Sequence, residues 1–332
     1  MRVGIMSFAH VHADGFASIL KDYETVEFVG FSDIDKNRGN KVAKQYGIKH
    51  FASHQSLLQE NLDAVVICSE NAKHLEDIKL AAEAGVHILC EKPIEISLEA
   101  AEEIGKLIKE KNLNFMTAFP MRFDPTMKKI KHMLEQNQLG TLYAVNGINH
   151  AEIPRRHRAW FADKKLAGGG AVMDHTVHLV DLLRWFSGSE VKTVYAEIGN
   201  PFVKDVDIDT AGLVTIEFEN GLIATIDASW SRPEAVYPTW GHVKMQLVAE
   251  KGVVETDAFA QKLNQYSKLT QPNATWVGWG SNSTEAMLDE FFASIKEKRQ
   301  PSINWQDGYE ALKVTLAAYE SAKTASVINL SR

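Results

Sequence analysis

The sequence has little cysteine, no excess of basic residues and no long hydrophobic run. Its two cysteines, Cys68 and Cys90, each end a short apolar segment, as is typical of buried free thiols in a reducing compartment. The formal net charge is −7, so the chain lacks the basic excess that binds nucleic acid or an anionic membrane. No apolar run reaches the roughly 18 residues that span a bilayer, and the first residues are typical of a strand, not a secretory signal. We therefore expect a cytoplasmic protein with neither nucleic acid nor membrane as a partner.

The order of apolar and amphipathic segments indicates two domains in the 332 residues. In the first 120 residues, continuous apolar runs alternate with helical stretches, which predicts a parallel, doubly wound sheet whose strands are buried on both faces. The predicted strands cover residues 3–6, 26–32, 64–68, 86–90 and 113–118. We expect an α/β protein with a doubly wound sheet of the nucleotide-binding type over residues 1–120.

Different turn signals follow residue 120. Asn220-Gly221 and Lys251-Gly252 each separate two apolar-rich runs, which predicts two hairpins and hence an antiparallel sheet. Predicted helices cover residues 126–138, 171–186, 284–298 and 306–324. We assign residues 121–332 to a second domain, whose closing helix is expected to pack back on the first.

The first strand does not run into the usual glycine-rich turn. The turn is Ser7-Phe8-Ala9-His10-Val11-His12, with Ser7, Ala9 and His12 at the three glycine positions. The strand–turn–helix order and the small residues still favour a pyrophosphate at the helix N-terminus. His12 adds bulk there, and it either hydrogen-bonds a phosphate or only fills space.

Asp33 follows the second predicted strand. A carboxylate there can accept hydrogen bonds from both hydroxyls of an adenine ribose and would repel a 2′-phosphate, which favours NAD over NADP. The alternative is that Asp33 caps the next helix, although Asp35 could make that cap instead.

Lys92 lies directly after a predicted strand and before Pro93, which holds its backbone extended. Ligands bind at the carboxyl ends of strands in open α/β sheets, so this lysine can donate to a substrate hydroxyl and stabilise negative charge on its oxygen. The alternative is a solvated lysine on a surface loop.

A narrow polar stripe marks one predicted helix. Asp174, His178 and Asp181 lie within about 60° of each other on a helix that is otherwise mainly apolar, which indicates a buried helix facing a cleft. A histidine can take and return a proton near neutral pH, and a carboxylate one turn away can orient it. The alternative is a satisfied core histidine with a capping aspartate. His175 could join His178 as a metal ligand, but nothing completes a ligand shell, so we expect no metal.

Taken together, these motifs make the chain resemble the Gfo/Idh/MocA oxidoreductases, the family of glucose–fructose oxidoreductase and inositol dehydrogenase. The resemblance extends from end to end. It includes the N-terminal turn, Asp33, Ser69-Glu70-Asn71 with His74, Glu91-Lys92-Pro93, Arg122-Phe123, Gly168 to Gly170, Asp174-x-x-x-His178-x-x-Asp181 and Ser321 in the closing helix.

The resemblance implies a Rossmann domain followed by an α/β domain with a large, mostly antiparallel open sheet, whose face makes a homodimer or homotetramer contact. It implies oxidation or reduction of a sugar or cyclitol carbon with NAD(P), with Lys92 at the reacting hydroxyl, His178 as general base and Asp174 as its partner or a substrate ligand. The cofactor-binding residues would be Ser7, Phe8, Ala9, His10, Val11, Asp33, Ser69, Asn71, His74, Glu91 and Lys92. The substrate-binding residues would be Arg122, Arg156, His157, Trp160, Asp174 and His178.

The expected function is therefore an NAD-dependent dehydrogenase of a sugar, cyclitol or related small polyol. Two other functions are open to the same family resemblance. One is NAD-dependent glycoside hydrolysis, which oxidises the sugar transiently and yields no net NADH. The other is a non-catalytic sensor that binds dinucleotide and sugar without turnover.

Overall fold

A computed structural model describes residues 1–237, 241–266, 268 and 274–331. The chain forms two compact units. Unit 1 comprises residues 1–119, 165–168 and 284–312, and unit 2 comprises residues 120–164, 169–283 and 313–332. Among the helices of the described residues, none is long and apolar enough to cross a membrane.

Unit 1 contains the predicted doubly wound parallel sheet. Its elements are β1 (Arg2–Met6), α1 (His12–Lys21), β2 (Glu27–Ser32), α2 (Lys36–Tyr46), β3 (His50–Phe51), α3 (His54–Leu58), β4 (Ala64–Ile67), α4 (His74–Glu83), β5 (His87–Cys90), α5 (Leu98–Lys111) and β6 (Phe115–Thr117). The six strands are all parallel, in the order β3-β2-β1-β4-β5-β6. The strand order reverses at β1 and β4, which are neighbours in the sheet but not in the chain. The turn that follows β1 therefore lies beside the ends of β2 and β4, where such sheets bind nucleotides.

Local sequence explains where the helices of unit 1 begin and end. The Asp35 side chain caps α2 by accepting from the Asn37 and Arg38 amides, and Gly47 ends the helix in the left-handed conformation. Asp35, and not Asp33, is therefore the cap of α2. Cys68 and Cys90 are free and fully buried at the ends of β4 and β5, and burial raises the pKa of both thiols.

Residues 284–312 add a further layer to unit 1. The Trp305 ring packs against Gly105 of α5 so closely that a Cβ there would lie 2.7 Å from the ring. The Thr117 hydroxyl at the end of β6 donates to the carbonyl of Asn304 at 3.1 Å. These contacts explain why a segment late in the sequence belongs to the first unit.

Unit 2 is built on a mixed, mostly antiparallel sheet. The remaining elements of the chain are α6 (Pro125–Glu135), β7 (Leu142–Ala151), α7 (Lys164–Ala167), α8 (Ala171–Ser187), β8 (Val191–Gly199), β9 (Ala211–Phe218), β10 (Ile223–Ser229), β11 (Gly241–Ala249), β12 (Gly252–Asp257), β13 (Lys262–Tyr266), β14 (Ala274–Gly278), α9 (Ser283–Lys296), α10 (Trp305–Thr324) and β15 (Ile328–Asn329). The seven-stranded sheet has the order β12-β11-β7-β10-β9-β8-β15, with β7 and β10 parallel and the other neighbours antiparallel.

Both predicted hairpins are confirmed. In the first, Gly221 takes φ +85° between β9 and β10, and the Phe218 amide donates to the Leu222 carbonyl at 2.9 Å. In the second, β11 pairs with β12 through Ala249 and Gly252. The helix predicted over residues 126–138 was too long: α6 ends at Glu135, because the chain turns through Asn137 at φ +51°.

One face of this sheet carries α8 and the other is open. Gly147 of β7 leaves room for Leu179 of α8, and the Asn149 side chain donates to the His175 carbonyl at 3.3 Å. Residues that alternate with this buried set point to the open face, as the period of a strand requires. Several of them are exposed and apolar, including Leu213, Ile223 and Val253.

Candidate active site

The first turn reaches its shape without glycine. Ser7 adopts φ +69°, in the left-handed region that favours glycine, and its amide donates to the Ser32 carbonyl at 2.7 Å. The Ser7 hydroxyl accepts from the Ala9 amide at 3.1 Å and so closes the turn. Phe8, Ala9 and His10 are buried, whereas Val11 is half-buried. The predicted strand–turn–helix element is therefore present, with serine in the conformation of the first glycine.

The Asp33 carboxylate is fully buried at the end of β2. It accepts from the Phe8 amide at 2.9 Å and from the Asp35 amide at 2.9 Å. The Arg38 guanidinium donates to both carboxylate oxygens, at 2.7 and 2.9 Å. Asp33 thus connects the first turn with β2 and α2 through hydrogen bonds. The Arg38 side chain, which is 21% exposed, places a positive charge beside the end of β2.

Glu91 and Lys92 are buried at the end of β5, and the Lys92–Pro93 peptide is cis. A Glu91 oxygen lies 3.1 Å from Nδ1 of His12, which therefore does more than fill space. Burial alone would raise the pKa of Glu91, but the His12 and His10 imidazoles and the Lys92 ammonium hold it well below its usual range.

The other predicted cofactor residues are buried near the ends of β4 and β5. The Asn71 side chain donates to the Ala167 carbonyl at 2.9 Å. Nδ1 of His74 lies 3.0 Å from the Pro93 carbonyl, and burial lowers the pKa of His74. Ser69 is also buried. These residues follow neighbouring strands of the parallel sheet, so unit 1 brings them to the same edge as the first turn and Lys92.

Helix α8 has the buried, polar-striped character that the sequence predicts. Between Ala171 and Leu183 every residue is buried except His178, which is partly exposed. A carboxylate oxygen of Asp174 lies 3.2 Å from Nε2 of His175, whose Nδ1 lies 2.8 Å from the Asn149 carbonyl. His178 is therefore the position at which this helix presents an imidazole to the surface of unit 2.

The third acidic residue of the stripe is an ion-pair partner. Asp181 is fully buried, and the Arg122 guanidinium donates to its two oxygens at 2.8 and 2.6 Å. This geometry is the bidentate pairing that arginine favours with carboxylates. The pair fixes Arg122, a predicted substrate residue, on the helix that carries Asp174 and His178.

Asp209 and Tyr319 hold the N-terminus of α8. The Asp209 carboxylate accepts from the Gly170 and Val172 amides, both at 2.8 Å, and from the Tyr319 hydroxyl at 2.6 Å. A Cβ at Gly169 would lie 2.1 Å from the Tyr319 hydroxyl oxygen, and one at Gly170 would lie 1.8 Å from the Asp209 carbonyl oxygen. Gly169 and Gly170 therefore permit close packing on a hydrogen-bonded anchor.

The predicted substrate segment is divided between surface and core. Arg156 and His157 are exposed, and Nε2 of His157 lies 3.3 Å from a Glu152 oxygen. Trp160 is buried and stacks on Phe161 with ring centroids 4.0 Å apart. Of these three residues, only Arg156 and His157 are therefore open to a ligand at the surface of unit 2.

Sequence reasoning missed the partners of the predicted residues. Arg38, Asn149, Asp209 and Tyr319 belong to no motif, so nothing in the sequence distinguishes them from surface polar residues. Thr176 is fully buried in α8.

A possible metal-binding set lies at the first turn. The ligand atoms of His10, His12 and Glu91 lie within 4.8 Å of one another. Nδ1 of His10, however, accepts from the His12 amide at 3.2 Å, and Nδ1 of His12 bonds Glu91. Since Nδ1 of each imidazole is already engaged in a hydrogen bond, we interpret the group as a hydrogen-bonded imidazole–carboxylate cluster.

Comparison with known proteins identifies the family. A model of the oxidoreductase family with an NAD-binding Rossmann fold matches residues 2–119, and a model of the GFO/IDH/MocA C-terminal domain matches residues 127–255. The chain belongs to the GFO/IDH/MocA family of oxidoreductases. The matches cover the parallel sheet of unit 1 and most of the sheet of unit 2, so the family resemblance inferred from the motifs is confirmed.

Individual members of the GFO/IDH/MocA family match most of the chain. An uncharacterised oxidoreductase, YrbE, from Bacillus subtilis is 32% identical over 302 residues, which cover 87% of this chain and 85% of YrbE. Myo-inositol 2-dehydrogenase from Thermotoga maritima is 25% identical over 345 residues, covering 99% and 98% of the two chains. The crystal structure of GenD2 from gentamicin A biosynthesis, in complex with NAD, aligns with a TM-score of 0.89 at 21% identity over 100% and 97% of the chains. These similarities support the same fold along the whole chain.

The anchor of α8 leads to a test of stability. In the wild-type protein, three donors share the Asp209 carboxylate. Asp209→Asn replaces one acceptor oxygen with an NH2 group, which is itself a donor, so we expect the free energy of unfolding of unit 2 to fall by about 2 kcal/mol. Urea denaturation followed by near-UV circular dichroism measures the change. Asp205→Asn is the control, because Asp205 forms an exposed ion pair with Arg155 that should contribute little. Equal stabilities of the two variants would contradict the anchoring role.

Proposed function

We propose that this protein is an NAD-dependent dehydrogenase that oxidises or reduces a hydroxyl-bearing carbon of a sugar, cyclitol or related polyol. The observation that carries the proposal is the pair of candidate reactive groups. Lys92 is buried directly after a strand of the nucleotide-type sheet, and His178 is the partly exposed imidazole of an otherwise buried helix. Membership of an oxidoreductase family and similarity to an enzyme named myo-inositol 2-dehydrogenase support the reaction class.

We assign a separate chemical role to each of three residues. His178 accepts the proton of the substrate hydroxyl, as a general base near neutral pH can. Lys92 donates to the same oxygen and stabilises its developing negative charge. Asp174 orients the substrate or supports the base. Bound NAD supplies the hydride acceptor of the oxidation at its nicotinamide ring.

The residues of unit 1 fit a dinucleotide. Ser7 gives the first turn a glycine-like conformation, which brings the backbone round into α1. We assign the adenine ribose to Asp33 at the end of β2, and further cofactor contacts to Ser69, Asn71, His74 and Glu91 at the same edge of the sheet. We assign dinucleotide binding to residues 1–120, and substrate binding and oligomerisation to residues 121–332. Arg122, Arg156 and His157 are the proposed substrate-binding residues beside Asp174 and His178, whereas Trp160, which is buried against Phe161, would support this segment without touching the substrate.

The proposed reaction is tested with a panel of polyols, inositols, aldoses and sugar acids, monitored by NADH fluorescence. We expect net NADH formation with at least one member of the panel. Release of an aglycone without net NADH would instead indicate glycoside hydrolysis. Dinucleotide and sugar binding without turnover of any kind would indicate a sensor.

Substitution then tests the two reactive groups. With the substrate so identified, Lys92→Ala and His178→Gln should each lower kcat by about 10²–10⁴-fold, the usual contribution of a positioned proton-transfer or charge-stabilising group. NADH binding should remain measurable in both variants. Lys106→Ala, at an exposed position of α5, is the matched control and should keep full activity. Near-normal turnover of Lys92→Ala would remove this lysine from the mechanism.

The proposed preference for NAD over NADP depends on Asp33. Its carboxylate would meet a 2′-phosphate with like charge, while Arg38 is held on that carboxylate. Asp33→Ser removes the negative charge and releases Arg38 toward the phosphate. We expect the ratio of kcat/KM for NAD to that for NADP to fall by roughly tenfold to a hundredfold. An unchanged ratio would show that Asp33 does not set the preference, and Asp35→Ser is the control at the neighbouring cap.

We further propose a homodimer or homotetramer in the cytoplasm, assembled through the open face of the unit 2 sheet. Leu213 and Ile223 are 62% and 51% exposed on this face, and exposed large apolar side chains are the kind that a protein–protein contact would bury. Leu213→Asp should shift the assembly toward a smaller species in size-exclusion chromatography with light scattering. Ile34→Asp, on unit 1, is the control and should leave the mass unchanged. A monomeric wild-type protein would contradict the proposal.

A further inference from the structure

A cavity in unit 2 lies apart from the candidate active-site residues. Its volume is about 320 Å³, which is at the lower end of the range for small-molecule pockets. All the described residues that line it belong to unit 2, and none of them is a predicted cofactor or substrate residue. Those that carry a charge or an imidazole are His150, Arg232, His242, Lys244, Asp257 and Lys262. The cavity therefore needs an explanation of its own.

The cavity lies on the sheet face opposite α8. The Asn149 side chain bonds the backbone of α8, so the next residue of β7, His150, points to the other face. His242 of β11 is paired with His150 across the two strands, and Lys244 follows two residues later on the same face. The rings of His150 and His242 lie 5.3 Å apart between centroids. The sheet therefore separates this cavity from the polar stripe of α8.

Positive charge predominates at this cavity, although the whole chain has a net charge of −7. Of the described residues that line it, Arg232, Lys244 and Lys262 are cations, and Asp257 is the carboxylate. An Asp257 oxygen lies 3.6 Å from Nζ of Lys244, so these two charges offset each other. The other two cations repel each other across the cavity, and a bound anion would relieve that repulsion.

Aromatic rings position these two cations, Arg232 and Lys262. Nζ of Lys262 lies 3.5 Å from the centroid of the Trp276 ring. Cζ of Arg232 lies 5.9 Å from the same centroid and 4.6 Å from that of Tyr237, and such distances are typical of cation–π contacts. Lys262 forms no ion pair with a described residue, and an ammonium over a ring keeps N–H groups for another acceptor. The cavity thus contains a positioned cation that can bind a ligand.

The His242 imidazole responds to this positive potential. Burial is the largest cause that lowers the pKa of His242 to about 4, and its neighbours add to the effect. The charged or titratable groups that face it are, in order of effect, Arg232, His150, Lys244 and Asp257, of which only the last raises the pKa. Nε2 of His150 in turn lies 2.9 Å from an Asp227 oxygen. An anion in the cavity would oppose the effect of the cations and raise the pKa of His242.

We propose that this cavity is an anion-binding site that takes the phosphate or carboxylate group of a small hydrophilic metabolite. Lys262 and Arg232 would bind the anionic group, since a guanidinium fork and an ammonium both donate well to such oxygens. The inference concerns unit 2 alone and does not depend on the proposed dehydrogenase activity. A carboxylate of a second copy is the competing occupant, but the exposed apolar residues Leu213 and Ile223 suit a subunit contact better than this concave, charged surface does.

The test uses inorganic phosphate and malonate as probes of the two anionic groups, with the full chain and isothermal titration calorimetry at low salt. We expect at least one of them to bind with a Kd of about 1 mM or below, and the tighter probe indicates which group the site prefers. Lys262→Gln and Arg232→Gln should each raise that Kd about tenfold, as the loss of a charged hydrogen-bond donor would. Lys129→Gln, at an exposed position of α6, is the matched control and should leave the Kd unchanged.

The imidazole signal of His242 in NMR spectra shows whether the anion binds in this cavity. His242→Gln identifies the signal by its loss, and saturation of the wild-type protein with the tighter probe should raise the pKa of His242. Binding that leaves this signal unchanged, or that Lys262→Gln and Arg232→Gln do not weaken, would overturn the inference. So would a Kd above about 10 mM for both probes. If neither probe binds and Lys262→Glu lowers the mass of the assembly in light scattering, the cavity receives a carboxylate of a second copy instead.

Discussion

A carboxylate withdrawn from water must be given positive charge or hydrogen-bond donors, and this constraint organises the polar interior of both units. In unit 1, Asp33 accepts hydrogen bonds from the first turn and from Arg38, and Glu91 pairs with the imidazole of His12. In unit 2, Asp209 accepts hydrogen bonds from two helix amides and from the Tyr319 hydroxyl. Each partnership joins segments that are separate in the sequence, so satisfying the buried charge also fixes the loops on which the candidate reactive groups lie.

The helix that carries Asp174 and His178 shows the consequence for function. An apolar helix can slide or rotate on an apolar sheet at little cost, but α8 is held at its start by Asp209 and along its length by the ion pair of Asp181. Catalytic geometry must be held to a fraction of an ångström, and such supporting bonds restrict a side chain to one position. The glycines before α8 serve the same end, because a side chain at Gly169 or Gly170 would displace the anchor.

Much of the fold could be predicted because its signals are local. Continuous apolar runs in the first 120 residues indicated a buried parallel sheet, and Asn220-Gly221 indicated a hairpin. β7 was harder to recognise, because Asn146, Gly147 and Asn149 interrupt its apolar pattern. Tertiary contacts explain two of these residues: Gly147 makes room for Leu179, and the Asn149 side chain hydrogen-bonds the backbone of α8. The extent of α6 was overestimated because the left-handed turn at Asn137 has no strong signature.

By itself, the sequence determined the family, the parallel and antiparallel halves, and the identity of Asp33, Lys92, Asp174 and His178 as candidates, because each depends on residues close together in the chain. Only the tertiary structure decided their partners. Tyr319 reaches Asp209 across 110 positions of sequence, and no periodicity or spacing records such a contact. The physical reason is that a motif specifies which group can react, whereas its environment depends on the donors that the folded chain brings to it.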